Sequence, residues 1–492
     1  MRRYARSKLK DYQFLLVSNR EPYIHKKVDD NIVCERPAGG LTAALDPLMR
    51  ACGGTWIAWG SGDADKDVVD DKDRVGVPPE SPKYALKRVW MTDEQVDKFY
   101  FGFANQALWP LCHYVYEKPV FDSTFWEGYE YSNELFSKAI LEEIEKHDKI
   151  FLWVHDYHLA LVPKLVRESS LAEEKDVVIA DFWHIPWPSW EVFSICPWAA
   201  QILTGLLGND LMGLHLPQHC SNFLESMRRI LGLSISHEKG CVEHDDGTTA
   251  VRSFPISVDF DAIDAASRRE EVEDQVRRIR SNEVAPFPYI GVGIDRLDYT
   301  KGIVERFKAI DYLLEKNTGL VGKFVFVEAA APSRVEIPAY QQLREDIINF
   351  ANRVNEKHEK DGWKPILYLE EKLQYDTLLA FYRTADICMV SSLHDGMNLV
   401  AKEFLSANVD EKGVLILSKF AGAAKELQDA LLVNPYDVQE FAEAINTALT
   451  IAPDKRKALV SSLRKVVREK NIYQWLQDFI REGSRYLGNQ PS

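Results

Sequence analysis

The sequence predicts an α/β protein with parallel sheets, built as two large domains. Short apolar runs alternate with amphipathic segments along the chain, which is the pattern of strands joined by helical crossovers. The chain has 492 residues, more than one hydrophobic core usually supports. Its apolar fraction of 46% and its charged fraction of 27% are ordinary for a globular enzyme.

Ten apolar runs are predicted to be strands. In the first half they are residues 14–18, 150–154, 177–182 and 211–214, and in the second half they are residues 289–293, 324–327, 366–369, 387–390, 414–417 and 431–433. In a doubly wound sheet, ligands bind beyond the carboxyl ends of the strands. The polar residues that follow each run are therefore the first candidates for a functional site.

The boundary between the two domains is predicted near residue 285. A charged helical segment, residues 262–283, separates the halves and ends in a proline pair at residues 285–288, which is typical of a linker. We therefore expect an N-terminal domain over residues 1–285 and a C-terminal domain over residues 286–470. A last helix, over residues 471–492, is expected to cross back to the first domain.

Charge and composition exclude several classes of protein. A net charge of −15 argues against nucleic acid or an anionic membrane as the main partner. No run of 18 apolar residues predicts a membrane span, and the basic N-terminus lacks the apolar stretch of a secretory signal. The seven cysteines are scattered without a CxxC pair, which indicates a reduced cytoplasmic protein without structural zinc.

The most informative segment follows the predicted strand at residues 387–390. A polar turn with Gly396 comes first and a helical pattern follows. The free backbone N–H groups at the N-terminus of such a helix carry partial positive charge and bind phosphate. Asp395 lies in the turn, where a carboxylate can meet a ligand hydroxyl. Glu403, about two helical turns further on, is placed to hold a ribose diol. The segment indicates a sugar-nucleotide site.

Two cations follow the first strand of the second half. Arg296 and Lys301 are separated by a turn that leads into a helix, so both can face one point. Such a pair suits a diphosphate leaving group, because it stabilises the charge that develops there. The alternative is a solvated basic face, which the acidic net charge disfavours. Arg334, after the next strand, is a third candidate cation.

In the first half, Arg20 follows the first strand, and Gly39 and Gly40 precede a helix. Glycines let the backbone approach a ligand closely, and the helix N-terminus favours phosphate. A tight structural turn explains the glycine pair equally well, and a surface cation explains Arg20.

Two later strands of the first half end in turns that contain histidine. Asp156 lies in a His-Asp-Tyr-His run at residues 155–158, and its alternative role is that of a buried, hydrogen-bonded aspartate that organises the turn. His184 precedes a rigid Pro-Trp-Pro loop at residues 186–188. A lone histidine is usually a satisfied core residue, and the rigid loop after it adds support for the alternative, a substrate-facing role.

Aromatic residues cluster in the first half at Trp56, Trp59, Tyr100 and Trp109. An aromatic stripe is more often core than site. Sugars, however, present flat C–H faces to aromatic rings. With Arg20 in the same half, the cluster suits a sugar acceptor.

Taken together, these motifs resemble those of the trehalose-6-phosphate synthases (glycosyltransferase family 20), which are retaining glycosyltransferases of the GT-B fold. The resemblance runs from about residue 12 to about residue 485. Its most specific motifs are residues 153–159 (WVHDYHL), 296–302 (RLDYTKG), 395–403 (DGMNLVAKE), 420–424 (FAGAA) and 433–436 (VNPY). It implies two Rossmann-like domains that face a central cleft.

The resemblance also implies a role for individual residues. Those implied to bind the nucleotide-sugar donor are Gly40, His184, Arg296, Lys301, Asp395, Gly396, Met397, Asn398, Leu399, Val400 and Glu403. Those implied to bind the acceptor are Arg20, Trp59, Tyr100, Trp109, Asp156 and Arg334. Those implied to take part in the reaction are Asp156, His184, Arg296, Lys301 and Asp395.

The implied reaction moves glucose from UDP-glucose to glucose-6-phosphate, with retention, and gives α,α-trehalose 6-phosphate and UDP. No cofactor is expected, and no metal, because two cations already hold the diphosphate. The partners are these small molecules, with neither nucleic acid nor membrane. Adenosine or guanosine donors remain open beside uridine, and so does the choice between a monomer and a homo-oligomer.

The chain departs from the family pattern at three places. His394 stands where arginine is usual, Trp187 and Trp190 replace a phenylalanine and a small residue, and residues 254–259 replace a Pro-Ile-Gly motif. One alternative is therefore a glucosylglycerol-phosphate synthase, which uses glycerol-3-phosphate, although the Ala-Gly-Gly-Leu at residues 38–41 favours a hexose phosphate. The other alternative is an inactive regulatory subunit, which the retained site residues disfavour.

Overall fold

The structure is a computed structural model that describes most of the chain. The described residues are 2–9, 11–37, 40–283 and 287–488.

Two compact units make up the chain. The first comprises Met1–Pro255 together with Tyr473–Ser492, and the second comprises Ile256–Ile472. The linker predicted near residue 285 falls on residues 284–286, which lie outside the described part of the chain.

The charged segment before that linker belongs to the second unit. Arg383 donates to the Ser267 carbonyl at 3.1 Å and pairs with Glu273 at 2.7 Å. Arg464 pairs with Asp264 at 2.5 Å. The division between the units therefore precedes this segment and does not follow it.

The described residues of the first unit form twelve strands. They are β1 (Gln13–Arg20), β2 (Ile24–Val28), β3 (Asn31–Glu35), β4 (Thr55–Trp59), β5 (Arg74–Val77), β6 (Tyr84–Val89), β7 (Lys149–His155), β8 (Asp176–Phe182), β9 (Leu211–Leu214), β10 (Ser234–Ser236), β11 (Cys241–His244) and β12 (Gly247–Ser253). Ten of them make one sheet in the order β10-β11-β12-β9-β8-β7-β1-β4-β6-β5, and β2 and β3 form a separate hairpin. From β12 to β6 the neighbours are parallel.

Helices flank this sheet. They are α1 (Arg2–Leu9), α2 (Gly40–Cys52), α3 (Asp93–Val96), α4 (Trp109–His113), α5 (Ser123–Ile144), α6 (Val162–Arg167), α7 (Ser170–Glu173), α8 (Trp190–Phe193), α9 (Ala199–Leu206) and α10 (Pro217–Ile230). Between α3 and α4 the chain forms a π-helix over Asp97–Leu108. Wide helical turns of this kind are rare and are frequently found at functional sites.

The second unit is a smaller parallel sheet with its own helices. Its strands are β13 (Tyr289–Arg296), β14 (Phe324–Ala331), β15 (Ile366–Leu369), β16 (Ile387–Val390), β17 (Val414–Ser418) and β18 (Leu431–Val433). Its helices are α11 (Phe260–Ser267), α12 (Glu270–Arg278), α13 (Ile303–Lys316), α14 (Pro338–His358), α15 (Tyr375–Thr384), α16 (Leu399–Ala407), α17 (Val438–Thr450) and α18 (Pro453–Glu469). The strand order is β15-β14-β13-β16-β17-β18, with every pair parallel.

Both sheets reverse their winding at one point. In the first sheet the chain moves outward from β1 through β4 to β6 and then returns to β7 on the other side of β1. In the second it moves from β13 to β15 and returns to β16. Open α/β sheets bind ligands at the carboxyl edge of such switch points. The predicted α/β class with two Rossmann-like domains is confirmed.

The last helix, α19 (Ile472–Gly483), packs on the first sheet. The Trp475 and Phe479 rings lie 5.5 and 4.1 Å from the Trp153 ring of β7, and both are almost fully buried. Trp475 Nε1 also donates to the Phe254 carbonyl at 3.1 Å. The end of the chain is thus part of the core of the first unit.

Candidate active site

The switch point of the second sheet brings together two predicted residues that are far apart in sequence. Lys301 follows β13 and Asp395 follows β16, and the Lys301 Nζ atom lies 2.5 Å from Asp395 Oδ2. Their side chains are only 11% and 14% exposed. The ammonium group can donate to a phosphate, and the carboxylate beside it can accept a hydrogen bond from a sugar hydroxyl.

The turn around Asp395 is built by backbone and side-chain hydrogen bonds. Ser392 Oγ and Asn398 Nδ2 each donate to Asp395 Oδ2 at 3.3 Å, and the Met397 N–H donates to Oδ1 at 3.4 Å. A β-carbon on Gly422 would lie 2.0 Å from the Gly396 carbonyl oxygen, so this approach requires glycine. The turn is therefore held rigidly before any ligand arrives.

Helix α16 begins directly after this turn. Asn398, at φ +72°, caps it by accepting from the Ala401 N–H at 3.2 Å. Leu399 and Val400 are half-buried at its first positions. The predicted helix N-terminus is therefore present beside Asp395.

Glu403 faces a buried tyrosine on the preceding helix, α15. The Tyr382 hydroxyl donates to Glu403 Oε2 at 3.3 Å. Burial raises the pKa of Glu403, and the tyrosine hydroxyl offsets part of that rise.

Arg334 and Arg296 meet at Asp298. The Asp298 carboxylate is fully buried, and its Oδ2 accepts from Arg334 Nη1 at 3.2 Å and lies 3.9 Å from Arg296 Nη2. Burial raises the pKa of Asp298, but Arg334, Arg296 and Lys301 lower it more, so the pKa lies below its ordinary value. Tyr340 also hydrogen-bonds Arg334. Sequence reasoning missed Asp298, although it lies between two predicted cations.

The predicted acceptor residues are divided between the two units. Arg334 belongs to the second unit, and the others belong to the first, namely Arg20, Trp59, Tyr100, Trp109 and Asp156.

A second group of residues that the sequence analysis did not select is centred on Arg306. Arg306 is fully buried and bonds Asp295 at 2.5 Å, Glu328 at 2.9 Å and Ser391 Oγ at 2.8 Å. Ser391 Oγ in turn donates to the Gly302 carbonyl at 2.8 Å. Arg306 therefore ties the turn after β13 to the turn after β16. An arginine at an ordinary helical position gives no sequence signal of this role.

In the first unit, the predicted acceptor residues meet around Tyr100. Arg20 Nη2 donates to the Tyr100 hydroxyl at 2.6 Å, and the Trp59 ring lies 6.3 Å from the Tyr100 ring. His158 stacks on Tyr100 with ring centroids 5.8 Å apart. Arg20 is exposed and Tyr100 is buried, so the cation stands at the open side of an aromatic wall.

The π-helix connects this wall to the turn after β7. Asn105 Nδ2 donates to the Tyr100 carbonyl at 2.7 Å, and the Tyr157 hydroxyl donates to Asn105 Oδ1 at 2.8 Å. Trp109 lies 5.9 Å from the Tyr157 ring. Trp56 is different, since it is fully buried and its Nε1 donates to Ser18 Oγ, which makes it a core residue.

Asp156 and His184 are joined at the ends of β7 and β8. Asp156 has a φ of +76°, which is unusual for a residue with a side chain, and its Oδ1 accepts from the His184 N–H at 3.0 Å. His184 Nε2 lies 3.1 Å from His155 Nδ1, and burial, with the neighbouring imidazoles, holds the pKa of His184 well below its ordinary value. The ring is therefore uncharged at neutral pH.

Gly40 is the first residue of α2, and Ala38 and Gly39 before it lie outside the described residues.

The departures from the family pattern fall into two kinds. Trp187 is buried and donates through Nε1 to Ser226 Oγ at 3.1 Å, and Phe254 packs on Phe479 at 5.1 Å. Both fill the core of the first unit. His394 lies beside Asp395, where burial lowers its pKa to about 4, so this position carries no positive charge at neutral pH.

Neither a membrane helix nor a metal cluster occurs in the described ranges. No helix there has the length and apolar character needed to cross a bilayer. No three His, Cys, Asp or Glu side chains in those ranges come together as metal ligands would.

Comparison with known proteins identifies the family. The model of glycosyltransferase family 20 matches residues 12–485. The chain belongs to glycosyltransferase family 20. It is therefore a hexosyltransferase, and the family resemblance of its motifs is confirmed.

Curated relatives of this family match nearly the whole chain. The trehalose-6-phosphate synthase of Mycobacterium avium is 36% identical over 475 residues, with 95% of this chain and 94% of the relative covered. The UDP-forming α,α-trehalose-phosphate synthase 1 of Aspergillus niger is 35% identical, with 96% and 90% covered.

Solved structures of family 20 enzymes match as well. The Escherichia coli protein bound with UDP-2-fluoro glucose has a TM-score of 0.84 at 29% identity, with 96% of this chain and 99% of that chain covered. The α,α-trehalose-phosphate synthase of Burkholderia xenovorans in complex with glucose-6-phosphate has a TM-score of 0.83 at 30% identity, with the same coverage. The GT-B fold class is confirmed.

Proposed function

We propose that the protein transfers glucose from UDP-glucose to glucose-6-phosphate, forming α,α-trehalose 6-phosphate and UDP. Relatives that carry this activity in their names match along the whole chain, and related structures hold a UDP-glucose analogue or glucose-6-phosphate. These relatives favour glucose-6-phosphate over glycerol-3-phosphate as the acceptor. The observation that carries the proposal is the Lys301–Asp395 pair at the switch point of the second sheet.

The second unit binds the donor. Arg296 and Lys301 hold the diphosphate, since Arg296 ends β13 and Lys301 follows it at the carboxyl edge of the sheet. Asp395 accepts from glucose hydroxyls, and the N–H groups of residues 396–398 surround the same sugar. Glu403 accepts from the ribose hydroxyls.

Leu399 and Val400 lie along the nucleotide at the start of α16. From the first unit, Gly40 contacts the donor phosphates with its backbone at the start of α2, and His184 bonds the donor glucose.

The first unit binds the acceptor. Arg20 at the open side of the aromatic wall pairs with the acceptor phosphate, and Tyr100 and Trp59 line the sugar beside it. Trp109 completes this wall at the end of the π-helix. Asp156, held at an unusual backbone angle, accepts from acceptor hydroxyls near the reacting carbon. Arg334 is proposed as a further phosphate ligand.

The reaction needs no covalent enzyme intermediate. The bond between the glucose anomeric carbon and the diphosphate oxygen breaks, and a bond from the acceptor hydroxyl oxygen to the same carbon forms on the same face. The hydroxyl proton passes to the departing diphosphate oxygen. Arg296 and Lys301 stabilise the negative charge that develops on that group, and the anomeric configuration is retained.

The test is release of the nucleotide diphosphate by the purified protein. With UDP-glucose as the donor, we expect release with glucose-6-phosphate and none above background with glycerol-3-phosphate. Release only with glycerol-3-phosphate would assign the protein to the glucosylglycerol-phosphate synthases. Release with glucose-6-phosphate only when ADP-glucose or GDP-glucose replaces UDP-glucose would contradict the uridine assignment alone.

A further inference from the structure

Asn19 is a buried amide that the proposed mechanism does not use. It is only 2% exposed, and neither its Nδ2 nor its Oδ1 has a hydrogen-bond partner within the described part of the chain. Buried amides in native proteins are nearly always paired, because burying an unpaired polar group costs folding free energy. Each exception requires an explanation.

Two other buried asparagines of the first unit have hydrogen-bond partners at both ends of the amide. Asn133 donates to the Tyr129 and His158 carbonyls at 2.8 and 3.1 Å and accepts from the Leu161 N–H at 3.1 Å. Asn105 also uses both ends of its amide. Asn19 differs from both, since each end of its amide is without a partner in the described part of the chain.

That position is the switch point of the first sheet. Asn19 lies at the carboxyl end of β1, between β4 and β7. On one side, Ser18 pairs with Ala58 and Arg20 pairs with Trp59, so the strand is irregular between them, at Asn19. Irregularities of this kind re-aim a side chain and are frequent next to active sites.

Proposed acceptor residues surround this irregularity. Arg20 is the next residue along the chain, and Trp59 is its partner on β4. On the other side, Ser18 pairs with His155 of β7, and Asp156 follows that residue. Asn19 thus lies within the same group of residues, although sequence reasoning did not select it.

The chemistry of the amide selects one kind of ligand group. Nδ2 requires an acceptor and Oδ1 requires a donor. A hydroxyl group supplies both, whereas an ionised phosphate oxygen only accepts. We propose that Asn19 binds hydroxyl groups of the acceptor sugar, donating through Nδ2 and accepting through Oδ1. This inference rests on the proposed function, and it adds a residue that selects among sugar phosphates.

The test compares Asn19→Leu with wild type and with Asn133→Leu. Leucine keeps a similar volume and removes both polar ends. The Asn19→Leu substitution removes no hydrogen bond within the protein, so the urea unfolding midpoint of this variant should stay at the wild-type value or rise. The Asn133→Leu substitution does remove such bonds, so the midpoint of that variant should fall. The KM for glucose-6-phosphate should rise about tenfold to a hundredfold in Asn19→Leu, with the KM for UDP-glucose within about twofold of wild type.

The outcomes separate the two proposals. No turnover of glucose-6-phosphate by wild type would overturn the proposed function and this inference with it. Wild-type turnover together with an unchanged acceptor KM in Asn19→Leu would overturn only the role of Asn19. If branching prevents leucine from fitting, Asn19→Ala replaces it. If the unfolding midpoints of Asn19→Leu and Asn19→Ala both fall as far as that of Asn133→Leu, Asn19 is a structural residue and the proposed role is wrong.

Discussion

Replacing Arg296 by alanine is expected to separate catalysis from folding. The Arg296 side chain is 46% exposed, and its guanidinium lies 3.9 Å from the Asp298 carboxylate. Asp298 is buried, but the pair is long, its arginine is partly exposed and Arg334 still pairs with the same carboxylate, so Arg296 should contribute no more than the about 0–1 kcal/mol of an exposed ion pair. The free energy of unfolding should therefore change by no more than about 1 kcal/mol.

The expected loss of activity is much larger. Removing one group that stabilises developing charge costs about 10²–10³ in kcat, which corresponds to about 2.7–4 kcal/mol. We expect kcat/KM for UDP release to fall by that factor in Arg296→Ala. The assay follows UDP release with UDP-glucose and glucose-6-phosphate, and urea unfolding of the same sample gives the stability.

Arg306→Ala is the matched control. Arg306 is fully buried and bonded to two carboxylates, so its removal leaves uncompensated buried charge and should cost about 3–5 kcal/mol of stability. A folded Arg296→Ala protein with near-wild-type kcat/KM would refute the role of Arg296 at the diphosphate. A loss of stability as large as that of Arg306→Ala would refute the structural reasoning.

Three further predictions address the acceptor wall, a buried carboxyl group and the last helix. Tyr100→Phe removes the hydroxyl that accepts from Arg20, so we expect the KM for glucose-6-phosphate to rise about threefold to tenfold, with stability lowered by no more than about 1 kcal/mol; an unchanged KM would contradict this. Burial raises the pKa of Glu328 from 4.5 to about 7 even though Arg306 lowers it, so the folded state holds a proton that the unfolded chain releases, and stability falls as the pH rises from about 4.5 to about 7. Glu328→Gln mimics the protonated form, and its urea midpoint should fall less than that of wild type between pH 5 and pH 8, whereas equal falls would show that no such proton is held. Trp475→Ala should destabilise the protein by about 3–5 kcal/mol in urea unfolding, because the ring is buried on the first sheet; a loss below about 1 kcal/mol would mean that the helix does not pack there.

Ten of the parallel strands were predictable because their burial is visible in sequence, whereas the parallel strands β4 and β12 were not predicted. Parallel strands covered on both faces are continuous apolar runs, and the ten predicted runs all became strands. Strand β6 (Tyr84–Val89) was missed since Lys87 and Arg88 interrupt its apolar pattern. Arg88 is fully buried because Glu21 and Asp65 pair with it at 2.9 and 2.7 Å. Because these two carboxylates are distant from Arg88 along the chain, no local sequence pattern indicates that Arg88 is buried.

The π-helix over Asp97–Leu108 was also beyond sequence reasoning. Its aromatic residues predict either a core or a sugar site, and the structure separates the two outcomes residue by residue. Tyr100 meets the exposed Arg20, whereas Trp56 in strand β4 is enclosed in the core. Burial is set by what packs above each ring, and residue type does not reveal it.

The sequence by itself determined the α/β class, most of the strands that carry the site and the residue types that follow them. Local pattern suffices for this, because apolar runs, glycine turns and helix starts are short-range features. Only the tertiary structure decided which of these residues meet. Lys301 and Asp395 are 94 positions apart, and they touch because β13 and β16 are neighbours in the second sheet. Strand order is fixed by long-range packing, so the contact between the lysine and the aspartate at that edge depends on the tertiary structure and cannot be read from local sequence.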